Sequence, residues 1–224
     1  MVVIFFGGSF DPPHCGHLGI AHAALRALQS STEDEVRVLF APVGRQPLKP
    51  AGSSASYQQR VAMTRLAIAG NTHFDLSLAD APNPAQAKPN YTIDTLLHLR
   101  AQHPPATRWH ILLGADAFRT LHHWHRAAEI PFIADLIVAA RPGEDLTDLL
   151  SLLPPSLTLT VGPHNHFRIQ NPTGHQAELL ILSDLHYDIS ATQLRDQIDG
   201  SAPTPQHLLP PSVLDYIHQN HLYA

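Results

Sequence analysis

The stretch VVIFFGGSFDPPHCGH, residues 2–17, decides the fold. Its first five residues are an unbroken apolar run rich in β-branched and aromatic side chains, the pattern of a strand buried on both faces in a parallel sheet. Two glycines end the run. The next eleven residues, GGSFDPPHCGH at 7–17, crowd glycines, two prolines and two histidines together. These are poor materials for a core. The expected structure is a turn that lets backbone and imidazole groups reach a ligand.

The pattern continues outward from this turn. Leu18, Ala21, Leu25 and Leu28 fall on one helical face. A polar loop, SSTEDE, separates that helix from a second apolar run, VRVLFAPV at 36–43, which completes a strand–helix–strand unit. Residues 44–55 are rich in Gly, Pro and Ser and read as a surface loop. Ser56 and Gln59 have capping-box spacing ahead of a helix whose inward face would carry Tyr57, Val61, Thr64 and Ile68. Strands are expected at 74–78, 109–114, 135–140, 157–161 and 177–182. Helices are expected near TIDTLLHLR (92–100), SATQLRDQI (190–198) and PSVLDYIHQN (211–220). The polar stretch 162–176 reads as a long loop. Alternating strands and helices predict an α/β fold with a mostly parallel sheet.

Bulk composition removes several classes. The 224 residues are 44% hydrophobic and 15% charged, which describes a globular chain rather than a disordered one. The formal charge of -5 argues against a basic nucleic-acid binder. No apolar run is long enough to span a membrane, and the N-terminus has no basic region ahead of a signal-like core. The single cysteine, Cys15, permits no intrachain disulfide and suits a reducing compartment such as the cytoplasm.

In a doubly wound sheet, ligands bind beyond the carboxyl ends of the strands, near helix N-termini. Gly7 to Phe10 is such a strand exit, and Gly8 permits close backbone approach to a phosphate. His14 and His17 are three residues apart at the start of a helix. That spacing can bring both imidazoles to one face beside the positive end of the helix dipole, a setting for a polyphosphate whose charge shifts during reaction. His122, His123 and His125 form a histidine cluster, but no second ligand group accompanies them, so a zinc site is not expected. A P-loop, GxxxxGK[ST], is missing, and so is GxGxxG.

GSFDPPHCGH resembles the GxFDPxHxGH motif of the HxGH nucleotidyltransferase superfamily, and ISATQLR, 189–195, resembles its second motif. YTIDTL at 91–96, LLGADAFRTLHHWHRAAEI at 112–130, ARPG at 140–143 and the terminal YIHQNHLY are similar to the bacterial nicotinate-nucleotide adenylyltransferase family. The resemblance spans nearly the whole chain. It implies a Rossmann-like, doubly wound sheet with helices on both faces. It also implies a single nucleotidyltransferase domain over 1–224, with a C-terminal helical part from about 189. The implied reaction joins nicotinate mononucleotide to ATP and releases deamido-NAD and pyrophosphate, with Mg²⁺ bound through the ATP phosphates.

The same resemblance implies roles for individual residues. His14, His17 and Arg195 are the expected catalytic contacts to ATP phosphates. Gly8, Ser9, Phe10, Gly114, Asp116, Arg141, Ser190, Ala191 and Thr192 are the expected ATP-binding set, with Asp116 at a ribose. Lys49, Tyr91, Thr92 and Trp124 are the expected mononucleotide-binding set, with Trp124 stacked on the pyridine ring. No dedicated metal ligand, nucleic-acid partner or membrane partner is expected; a homo-oligomer stays open. The sequence departs from the family pattern at two places. Leu48 stands where the family has a histidine, and Lys88-Pro89-Asn90 replaces a Gly-Pro-Ser-like run. Competing readings are an enzyme for nicotinamide mononucleotide or phosphopantetheine, and a catalytically silent nucleotide binder on the same fold.

Overall fold

The computed structural model describes residues 1–48, 52–82, 89–140, 151–183, 185, 187, 189–199 and 207–223. Eight strands form one sheet in the order β3-β2-β1-β4-β5-β8-β7-β6. They are β1 (Val2–Gly8), β2 (Val36–Pro42), β3 (Phe74–Leu76), β4 (Arg108–Gly114), β5 (Asp135–Ala139), β6 (Thr158–Val161), β7 (His166–Gln170) and β8 (Gln176–Leu182). The pairings from β3 across to β8 are parallel; β8–β7 and β7–β6 are antiparallel. The order reverses between β1 and β4, so the switch point lies at the end of the very strand with which the chain begins.

Strand β1 explains why the sheet is covered on both sides. Its side chains alternate, and both sets are buried. Val3 and Phe5 join one core with Ile93, Leu96 and Leu99 of α3 (Thr92–Gln102). Val2, Ile4 and Phe6 join a second core with Ala21, Ala24 and Leu25 of α1 (Cys15–Gln29). A third cluster joins α2 (Tyr57–Ile68) through Met63, α6 (Ala191–Asp199) through Leu194 and α7 (Pro211–Gln219) through Val213, Leu214 and Ile217. Two short helices, α4 (Ala115–Arg119) and α5 (Ile130–Ile133), connect β4 to β5.

Most expected elements occur where the pattern puts them, and the Ser56–Gln59 capping box forms in both directions. Three expectations change. The buried face of α2 is Arg60, Met63, Thr64 and Ile68, not the stripe through Tyr57 and Val61, because the Arg60 guanidinium is drawn inward by backbone carbonyls. The turn at 7–17 is not poor core material: residues 10–14 are all buried, and Phe10 packs edge-on to Phe6 with centroids 5.3 Å apart. The stretch 162–176 is not one loop, since β7 lies inside it with Phe167 and Ile169 inward and His166, Arg168 and Gln170 outward.

That alternation gives a direct test of β7. Ile169 is fully buried between sheet and core, so Ile169→Ala should cost about 2–5 kcal/mol. Arg168→Ala, one residue earlier and exposed, should cost about 0.5 kcal/mol or less. Equal losses in chemical denaturation would contradict the assigned register.

Candidate active site at the sheet switch point

The carboxyl ends of β1 and β4 open side by side, and the expected phosphate residues follow the first of them. Gly8 ends β1. A Cβ added there would come within 3.1–3.4 Å of the Phe10 ring, a contact tight enough that the ring would have to give by a few tenths of an ångström. Ser9 follows. Its hydroxyl accepts from Gln46 Nε2 at 2.8 Å, and its carbonyl accepts from Arg60 Nη1 at 2.6 Å. Phe10 has φ +50°, and its ring is 1% exposed. The Phe10 side chain lies in the core, edge-on to the His17 ring with 5.1 Å between centroids, which leaves its backbone as the part that faces the site.

His14 is the N-cap of α1, and it caps in an unusual way. The His17 backbone N–H donates to His14 Nδ1 at 3.4 Å, and the His14 N–H donates to His17 Nδ1 at 3.2 Å. The imidazoles thus perform the reciprocal bonding of a capping box. Their centroids are 3.7 Å apart. With each Nδ1 accepting, each neutral ring carries its proton on Nε2 and can donate from there. Burial lowers the His14 pKa to about 4. Burial, and then the neighbouring His14, hold His17 well below the usual histidine range. Gly16 is needed between them: a Cβ there would sit 2.9 Å from His14 Nδ1. The Cys15 N–H donates to the Leu208 carbonyl at 2.9 Å. The amides of His14, Cys15 and His17 are therefore occupied, and the imidazole Nε2 atoms add donors at this helix start. The half-buried Cys15 thiol is pushed up by burial, away from reactive thiolate character.

The second expected anion site adjoins the first. Ser190, Ala191 and Thr192 begin α6, and the Leu194 N–H donates to the Ser190 carbonyl. Arg195, one turn on, donates from Nη2 to Thr192 Oγ1 at 3.2 Å and from Nη1 to the Asp11 carbonyl at 2.7 Å. Arg195 is thereby brought to the turn that carries His14.

Sequence patterns missed the residues that assemble this corner. Asp11 is 4% exposed. Its carboxylate accepts from the Ser54 N–H (2.7 Å), the Ala55 N–H (3.1 Å) and the Tyr223 hydroxyl (2.7 Å). Arg60, 2% exposed, ties the ends of two adjacent strands by donating to Ser9 O and to Val43 O at 2.8 Å. Buried charges are rare without such partners, but a helix pattern alone does not distinguish them from solvated ones.

Beyond β4, Gly114 caps α4 with open space before its missing Cβ. Asp116 sits in the first turn, exposed and paired with Arg119 Nη1 at 3.2 Å. Tyr91 caps α3 without a side-chain bond, and its ring lies over His125 with centroids 4.4 Å apart; Thr92 is the first helical residue. Trp124 packs partly against the core, its Nε1–H donating to Thr120 Oγ1 at 3.3 Å. Asn90 holds a loop: its Oδ1 accepts the Arg45 N–H, its own N–H donates to Arg45 O, and Nδ2 donates to Ala81 O. Leu48 is exposed. Lys49 and Arg141 lie outside the described residues. His122 and His123 sit in a 3-10 turn, not on a helix face. Among the described residues, no three His, Cys, Asp or Glu side chains gather as metal ligands. No described helix is long and apolar enough to cross a membrane.

The cytidylyltransferase-like family model matches residues 5–197. A protein of Gloeobacter violaceus named "Probable nicotinate-nucleotide adenylyltransferase" is 38% identical over 97% of this chain and 94% of its own length. One of Pelobacter propionicus with the same name is 34% identical over 100% and 99%. Among solved structures, Plasmodium falciparum nicotinic acid mononucleotide adenylyltransferase complexed with NaAD aligns at a TM-score of 0.68 over 99% of this chain and 97% of that one. At 17% identity, that likeness speaks for the fold.

Histidines shielded from water make stability depend on pH. His110, like His14, is lowered to about 4 by burial. Each binds its proton more weakly folded than unfolded. Between about pH 6.5 and 4 the unfolded chain therefore holds more protons, and stability falls on acidification. Asp80 opposes this: burial pushes its carboxyl up to about 6, so its contribution is lost as pH rises through that value. Asp135, also raised by burial, acts in the same sense, but the lowered histidines, His14, His17, His22 and His110, outnumber the two carboxyls. The unfolding free energy from chemical denaturation should drop from pH 6.5 toward 4, by up to about 1.4 kcal/mol per pH unit for each titrating histidine. His14→Asn, which keeps a capping side chain, should flatten the slope.

Proposed function

The chain belongs to the cytidylyltransferase-like family, among the nicotinate-nucleotide adenylyltransferases, and from that membership we propose that it transfers the adenylyl group of ATP to nicotinate mononucleotide, yielding deamido-NAD and pyrophosphate in NAD biosynthesis. The observation that carries this reading is the His14–His17 pair at the end of β1, with Arg195 bonded to the same turn. Two imidazole donors on one short turn, with a guanidinium from α6 bonded to that turn, fit a polyphosphate. ATP use and the lack of a membrane-crossing helix among the described residues fit a cytoplasmic setting.

The phosphate of the mononucleotide attacks the α-phosphorus of ATP in line. The bond from that phosphorus to the bridging oxygen breaks, and pyrophosphate leaves with the electron pair. A phosphate monoester is largely dianionic at neutral pH, because its second pKa is about 6, so no general base is needed. What remains for the protein is positioning and charge stabilisation. His14 and His17 donate through Nε2–H to phosphate oxygens. Arg195 carries formal charge to the leaving group, with Ser190, Ala191 and Thr192 contributing hydroxyl and amide donors beside it. Gly8 and Ser9 let the backbone approach the α-phosphate.

Asp116 offers two carboxylate oxygens to a ribose diol, in exchange for its contact with Arg119. Trp124, its ring plane fixed by the bond to Thr120, stacks on the nicotinate ring. Tyr91 and Thr92 line the same end. The donor set at the phosphate corner is imidazole, guanidinium and amide, which suits phosphate oxygens rather than a cation. Mg²⁺ would therefore be held by the phosphates of ATP, neutralising part of their charge.

Pyrophosphate release from MgATP should be fast with nicotinate mononucleotide and slow with nicotinamide mononucleotide. Equal rates would make the enzyme dual in specificity. Release with phosphopantetheine alone, or none with any acceptor, would refute the assignment. His17→Ala should lower turnover by roughly 10²–10³. Near-normal turnover in a folded His17→Ala protein would remove His17 from the mechanism.

A further inference from the structure

The end of the chain returns to the phosphate corner. Helix α7 closes with the hydrogen bonds of a Schellman motif. The His221 N–H donates to the His218 carbonyl and the Leu222 N–H to the Ile217 carbonyl, with His221 at φ +50° where glycine is the usual choice. Tyr223 is left-handed too, at φ +66°. Two such residues within three positions reverse the chain, and strain of this kind persists only where surrounding contacts fix it. The Tyr223 ring packs at the edge of the cluster around Met63 and Leu194, and its hydroxyl donates to Asp11 Oδ1 at 2.7 Å. Burial pushes this phenol up, so it stays a donor.

Three contacts thus join the C-terminal segment to the turn that presents His14. Arg195 donates to the Asp11 carbonyl, Leu208 accepts from the Cys15 N–H, and Tyr223 donates to the Asp11 carboxylate. Asp11 precedes His14 by three residues. Its Oδ2 accepts from the Ser54 amide, its Oδ1 accepts from both the Ala55 amide and the Tyr223 hydroxyl, and its carbonyl accepts from Arg195. A shift of Asp11 would displace the imidazole pair and the guanidinium relative to each other.

We infer that Tyr223 is a positioning residue for the transfer reaction: through Asp11 it holds the His14–His17 turn and Arg195 in register for the ATP phosphates. This rests on the reading that those three residues receive ATP. The role is distinct from merely anchoring the C-terminus, because it predicts an effect on one substrate only.

The test compares wild type, Tyr223→Phe and Leu222→Ala. The first variant keeps the ring and removes one donor. The second loosens the same chain reversal and leaves the donor in place. Each is assayed well below its thermal midpoint, with ATP binding measured by calorimetry in the absence of mononucleotide. Tyr223→Phe should lose about tenfold in kcat/KM for ATP, roughly the factor one charge-assisted hydrogen bond carries, while KM for nicotinate mononucleotide stays within about twofold. Leu222→Ala should lower the midpoint with little change on the ATP side. Unchanged ATP kinetics in Tyr223→Phe, equal losses for both substrates, or matching losses in the two variants would overturn the inference while leaving the proposed reaction standing. Wild type that fails to bind ATP would overturn both.

Discussion

A buried carboxylate sets the terms for this corner of the molecule. Asp11 is almost wholly out of water, and a carboxylate there is tolerable only with its oxygens satisfied. None of its three donors comes from the turn in which it sits. Two are amides 43 and 44 residues away, and one is a phenol 212 residues away. Satisfying one side chain therefore requires the loop after β2 and the end of the chain to converge on the exit of β1. Arg60 works on the same exit from below. It bonds the Ser9 and Val43 carbonyls and pairs at longer range with Asp11, so that the ends of β1 and β2 are fixed before any ligand arrives.

That fixed exit gives the histidines their chemistry. At the start of α1 the amides of His14, Cys15 and His17 are turned onto imidazoles and onto Leu208. In many phosphate sites the helix amides face the anion directly. In the proposed site the histidine donors lie one side chain further out, on the Nε2 atoms of rings packed against each other and against Phe10. The glycine between the rings follows from the same packing, because any Cβ would press on His14.

How much of this was legible in the sequence depends on the range of the contacts involved. The strands of the parallel sheet were readable because continuous apolar runs have few other uses, and the Ser56–Gln59 cap because its partners are three residues apart. The His14–His17 pair was readable for the same reason. Strand β7 was not, because HFRIQ shows only two apolar residues between turn-rich flanks. Its alternation was the available signal. Arg60 was not, because a helical arginine defaults to solvent and its carbonyl partners come from two other strands' ends. Phe10 shows a packing role that the motif hid: in a run of ligand-binding residue types its ring is a core wedge beneath them. Asp11 and Tyr223 could not be joined by any periodicity, since the contact exists only once the chain has folded back on itself.

The capping arrangement also divides labour between imidazole and guanidinium. Desolvation disfavours a charged His14 or His17, and so does the geometry. A second proton on either ring must go to Nδ1, the atom that accepts a backbone N–H. Protonation there would replace an accepted hydrogen bond with two opposed donors and would place charge 3.7 Å from the neighbouring ring. The pair is thus built to act as oriented neutral dipoles. Arg195 brings formal charge to the same turn, and no proton equilibrium near neutrality can switch it off. A polyphosphate meeting this corner would find directional donors and a permanent cation held on one turn. Those are the two properties needed to follow charge as it moves from the α-phosphate to the departing pyrophosphate.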